Sequence, residues 1–245
     1  MAEPVYVVLG ATGGIGSALC RRLVGAGARL TIAAHDCKRV RALGTELGVH
    51  ALSIDATCST HVERCFAEAL SQHGRIDGVA NCVGSFLLKP AHLTTDDEWS
   101  AALATNLTSA FLTVRAAVGA MTRTGGAVVL LSSAAARLGI ANHEAIAAAK
   151  AGVIGLMLSA AASYAGRRIR VNAVAPGLVR TPLTEALTGA ETTLQASAAL
   201  HPLGRIGEPD EVASAIAWLL DPAQAWVTGQ VLGIDGGLAT VRSRA

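Results

Sequence analysis

Aromatic residues make up only 3% of the 245-residue chain, which argues against a stacking site for a flat aromatic ligand. Charge is sparse as well. At 16% charged residues and a formal net charge of +2, the basic side chains are scattered rather than gathered in a block or along one face, so no nucleic acid partner is expected. Metal-ligand spacing is absent: Cys20, Cys37, Cys58, Cys65 and Cys82 form no CxxC pair and have no histidine cluster beside them. An odd number of thiols without a signal peptide fits a reducing, cytoplasmic setting. The apolar run Val5 to Leu9 is too short for a signal h-region and runs into glycines. The nearest candidate for a membrane span, Ala151 to Ala165, falls short of the roughly 18 residues required and contains Ser159, Ser163 and Tyr164. No membrane partner is expected, and the ligand left by these exclusions is a small molecule.

Apolar side chains are what the chain has in quantity. At 51% hydrophobic residues and a mean hydropathy of +0.45, it can bury a large core in one domain spanning residues 1–245. Short runs rich in β-branched residues alternate with longer Ala/Leu-rich helical patterns, as βαβ units with a parallel sheet require. The runs place strands at Val5 to Leu9, Leu30 to Ala34, His50 to Ile54, Gly78 to Asn81, Ala127 to Ser132, Ile169 to Ala175 and Gln230 to Ile234. Continuous apolar runs such as Val128 to Leu131 are those of strands covered on both faces. The expected fold class is therefore α/β: a doubly wound sheet of about seven parallel strands with helices on both faces. Thr181 to His201 reads as a helical excursion, with its own apolar spacing at Leu183, Leu187, Leu194 and Leu200.

Glycine is concentrated where chemistry would need it. Directly after the first strand comes Gly10-Ala11-Thr12-Gly13-Gly14-Ile15-Gly16. Such a turn lets the backbone approach a pyrophosphate at the N-terminus of the next helix, where free N–H groups and the helix dipole favour an anion. A glycine pattern alone is weak, but its position between an apolar strand and Ser17-Ala18-Leu19-Cys20-Arg21-Arg22-Leu23 points to a dinucleotide.

The spacing of this turn resembles that of the short-chain dehydrogenase/reductase family, a Rossmann-type family. Further matches follow over nearly the whole chain: Asp55 after the third strand, Asn81-Cys82-Val83-Gly84 after the fourth, Asn106 in a helix, Pro176-Gly177 after the sixth, and Asp235-Gly236-Gly237 near the end. The resemblance implies NAD or NADP as cofactor, held by Gly10, Thr12, Gly14, Ile15, Gly16, His35, Asp55, Asn81, Gly84, Lys150, Pro176 and Gly177. It also implies a homodimer or homotetramer formed through the helices that carry Asn106 and Lys150. Two departures lie under the expected cofactor: Leu9 stands where the family usually has Thr, and Cys82-Val83 where it has Asn-Ala. At the end of the second strand, where a carboxylate would read the NAD ribose, the chain has Ala34 and then His35. Asp36 is close enough to reach in, while His35, Lys38 and Arg39 offer positive charge to a 2′-phosphate, which favours NADP.

The largest departure concerns the proton. The family places a Ser thirteen residues before a Tyr, and a Lys four residues after it; here the same register gives Ser133, Ile146 and Lys150. By resemblance Ser133 positions a carbonyl, Lys150 binds the nicotinamide ribose and Asn106 anchors a water, but no phenol stands between them. The other tyrosines do not fill the gap: Tyr6 lies in the first strand, and Tyr164 would sit about 27 Å along a helix from position 146. The nearest replacement is His143, one helical turn before Ile146 and about 60° around the helix. Asn142 reads as the N-cap, which would put His143 where the helix dipole disfavours imidazolium and a neutral ring can donate one hydrogen bond. Asn142-His143-Glu144 reads equally as a plain helix start. Cys82 and His92 are further polar candidates. The resemblance implies an oxidoreductase acting on a small carbonyl or alcohol; a nucleotide-binding sensor or partner subunit, and a non-redox lyase or isomerase, stay open beside it.

Overall fold

A computed structural model describes residues 3–242. Seven parallel strands form one sheet: β1 (Val5–Leu9), β2 (Arg29–Ala34), β3 (His50–Ser53), β4 (Gly78–Asn81), β5 (Gly126–Leu131), β6 (Ile169–Pro176) and β7 (Val231–Ile234), in the order β3-β2-β1-β4-β5-β6-β7. The expected fold class holds. All seven strands lie where the apolar runs put them, with boundaries shifted by one residue at several ends.

Alternation along each strand divides the core in two. Val7, Leu9, Val128 and Leu130 face one way and pack with α3 (Ser59–His73), α5 (Ser109–Met121) and α6 (Glu144–Tyr164). Tyr6, Val8, Ala127 and Val129 face the other way, toward α1 (Gly14–Gly25), α2 (Cys37–Leu47) and α9 (Pro209–Leu220). A strand covered on both sides has no polar face to show, which is why these runs read as uninterrupted hydrophobics. Asp96–Met121 and Glu144–Arg167 are apolar and long enough to cross a membrane, yet 50% and 44% of their apolar windows are buried in the protein. The sheet accounts for that part of their hydropathy without a bilayer.

Helix ends are fixed by local chemistry. Asp36 Oδ1 accepts from the N–H groups of Lys38 and Arg39 at the start of α2, and Gly48 closes that helix at φ 65°. A reciprocal capping box between Thr95 and Glu98 opens α4 (Asp96–Leu103). The 181–201 excursion is helical as expected, comprising α7 (Glu185–Thr188) and α8 (Glu191–Leu200). One expected cap is corrected. The cap of α6 is His143, whose side chain makes no capping bond, while Asn142 lies outside the helix at φ 63°. Asparagine tolerates this left-handed geometry, and its carbonyl accepts from Lys89 N–H at 2.8 Å.

Strand order reverses at β1, whose neighbours are β2 on one side and β4 on the other. Ligands of open α/β sheets bind at such a point, outside the carboxyl ends of the strands. The loops following β1 and β4 meet there. A Cβ on Gly10, which has φ 74°, would lie 2.6 Å from Cys82 C and Val83 N, so only glycine permits this contact.

Candidate functional site

Two adjoining clefts open at the carboxyl edge of the sheet. One, of about 420 Å³, is bounded by Gly10, Ala34, His35 and Asp55. The other, of about 460 Å³, contains Gly14, Ile15, Gly16, Ser133, Ile146 and Lys150. They share Thr12, Gly13, Arg39 and the Cys82–Gly84 loop, so their combined shape suits a ligand with two halves joined over the glycine turn. Gly13 caps α1 without a side chain, which leaves the first-turn N–H groups open to an anion from outside. These residues fit a nicotinamide dinucleotide with its pyrophosphate over α1.

The edge of the first cleft carries both signs of charge. Arg39 Nη2 donates to Thr12 O at 2.7 Å, which ties α2 to the glycine turn. Asp36 also lines this cleft, but its Oδ1 is already engaged at the start of α2. Asp55 accepts from the hydroxyl and backbone N–H of Thr57, bonds that hold its carboxyl below the usual range.

In the second cleft, β5 and α6 are clasped by bonds in both directions. Ser132 Oγ donates to Lys150 O at 2.9 Å, while Lys150 Nζ donates to Leu131 O at 2.9 Å. Lys150 is 6% exposed, and burial lowers its ammonium from 10.5 to about 8, opposed only by the Cys82 thiol. Burial likewise pushes the Cys82 thiol up to about 12. Ser133 Oγ accepts from Ala135 N–H at 3.2 Å, an arrangement that leaves its own proton to donate.

Asn106 lies in a π-helical turn, Ala104–Thr108, between α4 and α5. Such turns recur at functional sites because the widened backbone re-aims a side chain. Its amide is fully engaged: Oδ1 accepts from Ser85 N–H at 3.1 Å, and Nδ2 donates to Ser85 Oγ and Ala102 O, both at 2.9 Å. A Cβ on Gly84 would lie 3.2 Å from Asn106 Oδ1 and 3.5 Å from Lys150 Nζ. Glycine therefore leaves a gap where the amide and the ammonium converge.

Ser133, Lys150, Asn106, Pro176 and Gly177 all line the second cleft, and His35 and Asp55 line the first. Two expected residues are placed elsewhere. Asn81 is 2% exposed; its Oδ1 accepts from Val83 N–H and its Nδ2 reaches Thr113 Oγ1, so its side chain shapes the turn after β4 and lines neither cleft. His143 is absent from the lining: its Nδ1 pairs with Ala141 O at 2.8 Å, and the ring of Phe86, which does line the cleft, packs edge-on to it at 5.9 Å. His92 is exposed in a short 3₁₀ turn and does not line either cleft.

Other residues shape the site without a motif to mark them. Ser132 and Ser85 position Lys150 and Asn106. Thr181 covers the start of α1 so closely that a Cβ on Gly14 would sit 2.7 Å from Thr181 Cγ2. Its only sequence signal is its place four residues after Gly177 in the loop leaving β6. Buried His201 pins that loop to α8, Nε2 accepting from Leu178 N–H and Nδ1 pairing with Ser197 O. A larger cavity of about 710 Å³ lies at the opposite end of the sheet among the strand starts, where Arg75 and Asp77 already pair.

A glycine turn, a clasped lysine and a strand-end serine on a seven-stranded parallel sheet define a dinucleotide-binding α/β protein. The chain belongs to the short-chain dehydrogenase/reductase family: residues 10–239 match the family model described as enoyl-(acyl carrier protein) reductase. It is 34% identical to the 3-oxoacyl-(acyl-carrier-protein) reductase FabG of Vibrio cholerae over 237 residues, 96% of each chain. It is 38% identical to the cis-4-hydroxycyclohexanecarboxylate dehydrogenase of Sinomonas cyclohexanicum over 247 aligned residues, 98% of each. A solved short-chain type dehydrogenase/reductase from Mycobacterium ulcerans superposes with a TM-score of 0.94 at 30% identity, covering 98% of this chain and 90% of that one.

Proposed function

We propose that the chain is an NAD(P)-dependent oxidoreductase that interconverts a small carbonyl and an alcohol, with Ile146 where the family has its tyrosine. The observation that carries this reading is the convergence of Ser133, Lys150 and Asn106 on one cleft beside the glycine turn. A protein that only bound a nucleotide would have no use for all three. FabG of Vibrio cholerae is named for reducing a 3-oxoacyl group and the Sinomonas relative for oxidising a hydroxy acid, which supports the same bond change here.

A bound nicotinamide supplies or accepts the hydride. Ser133 Oγ donates to the carbonyl oxygen, fixing its position and stabilising the charge that gathers there. Lys150 holds positive charge at the same edge, and Asn106 keeps the Ser85 loop in place. We favour NADP(H), because Ala34 supplies no carboxylate to repel a 2′-phosphate and Arg39 stands at the mouth of the first cleft.

The test is steady-state oxidation of NADPH and NADH against a mixed pool of small ketones and quinones. Wild type is expected to turn over with NADPH preferred; Ser133→Ala should lose at least about tenfold, and His143→Ala should stay within about threefold. Nucleotide binding by calorimetry without turnover would instead favour the sensor or partner-subunit reading, for which apolar Ile146 is the motive.

We also propose a homo-oligomer joined through the helices carrying Asn106 and Lys150. Phe111 on α5 and Leu158 on α6, 47% and 50% exposed, are apolar side chains that such a seam would cover. Light scattering should give a dimer or tetramer, and a monomer mass would overturn this.

A further inference from the structure

A proton must reach the substrate oxygen, and Ile146 has none to give. Among the described residues, the titratable groups lining the second cleft are Arg39, Cys82 and Lys150. An arginine does not give up its proton in a protein, and Arg39 is held at Thr12 away from Ser133. The Cys82 thiol, held up to about 12 by burial, does not release a proton readily near neutral pH. Lys150 remains. Its ammonium has three protons, and its one hydrogen bond among the described residues is to Leu131 O. The other two are free for the gap beside Gly84, which also faces Asn106.

We propose that Lys150 is itself the proton donor and acceptor at the substrate oxygen, with Ser133 as second donor and no phenol between them. This rests on the oxidoreductase reading above. In the reducing direction the carbonyl carbon gains a hydride, with its two electrons, from the reduced nicotinamide. The C=O π bond breaks, its electron pair moves to oxygen, and that oxygen takes a proton from Lys150 Nζ. The products are the alcohol, the oxidised nicotinamide and a neutral amine that recovers its proton from solvent. Oxidation runs the same exchange backward, with the neutral amine as base.

The surroundings suit the task. The elements packed on Nζ contribute the Leu131 carbonyl from β5, the Asn106 amide from the π turn and the Cys82 thiol from the loop after β4. No carboxylate is among them to hold the ammonium charged, and burial brings its titration to about 8, close enough to neutral for proton exchange in either direction. The sign follows directly. Reduction needs the charged form, so its limiting rate is flat below about pH 8 and falls tenfold per unit above it; oxidation rises through the same pH and levels off.

The chain has three lysines, Lys38, Lys89 and Lys150, so carbon-13 labelling of lysine gives three signals to follow by NMR. In the protein without nucleotide, Lys150 is expected to titrate near 8. Lys150→Arg keeps the charge but cannot release a proton. It should bind NADPH within about fivefold of wild type by calorimetry and lose about 10²- to 10⁴-fold in kcat. Titration of Lys150 near 10 would overturn the proposal without any assay. So would a Lys150→Arg enzyme that keeps its turnover and pH profile. A lysine titrating near 8 in a protein that binds nucleotide but turns over no carbonyl or alcohol would mean that the oxidoreductase reading has failed, and this inference with it.

Discussion

Gly16→Ala is expected to weaken NADPH binding by about 10- to 100-fold, measured by calorimetry, while the protein stays folded. The added methyl would lie 2.2 Å from Gly10 O and 3.0 Å from Ala11 Cα, both backbone positions in the turn. No rotamer relieves such a contact, so either α1 retreats or the turn opens. Overpacking of this kind costs about 1–3 kcal/mol. Every 1.4 kcal/mol taken from a binding equilibrium is about tenfold, and the displaced groups include the N–H donors expected to face the pyrophosphate. Gly25→Ala, at the other end of the same helix, is the control. Nothing lies within 4 Å of its added Cβ, so it should bind normally and gain up to about 1 kcal/mol of stability from helix propensity. Equal loss of binding in both variants would mean that the glycine turn is not the anion site.

The strands were legible because parallel sheets covered on both faces leave no polar residue to confuse the pattern. Their ends were less so: Ile54 and Ser132 read as strand residues but lie just beyond β3 and β5, although their N–H groups still bond to Ala34 and Val174. The site was legible wherever residue type and spacing carry the chemistry, as for the glycine turn, Ser133 and Lys150. It was not legible where a neighbour does. Nothing in Ser132 announces that it holds the carbonyl of Lys150, and nothing in Asn106 that its helix widens into a π turn. Asn81 and His143 are the converse cases. Their side chains suit a site, but Asn81 is consumed by Val83 and Thr113, and His143 is turned to Ala141 behind Phe86.

Ile146→Tyr is expected to raise carbonyl reduction at neutral pH by about 10²-fold, at the lower end of what a positioned general acid contributes because Lys150 already gives some proton transfer. Positions 146 and 150 are one turn apart on the same face of α6, so a phenol at 146 comes up beside Nζ. The space is tight on one side only. Ile146 is 4% exposed and packs on Ala102, Ala145 and Leu87, while its remaining surface lines the cleft into which a ring can extend. Repacking against Ala102 should cost about 1–3 kcal/mol and lower the melting temperature by a few degrees. Ile146→Phe, with the same ring and no hydroxyl, separates shape from chemistry and should bring no gain. The pH profile then shows which group delivers the proton. With the phenol in place, the fall in reduction rate above about pH 8 should move to higher pH, because Lys150 no longer has to be the donor. A gain with Tyr but not Phe would show that hydride and carbonyl already meet correctly in this cleft. No gain with either would mean that Ser133 and Lys150 are not arranged around a carbonyl at all, and would turn the reading toward a nucleotide sensor built on an oxidoreductase frame.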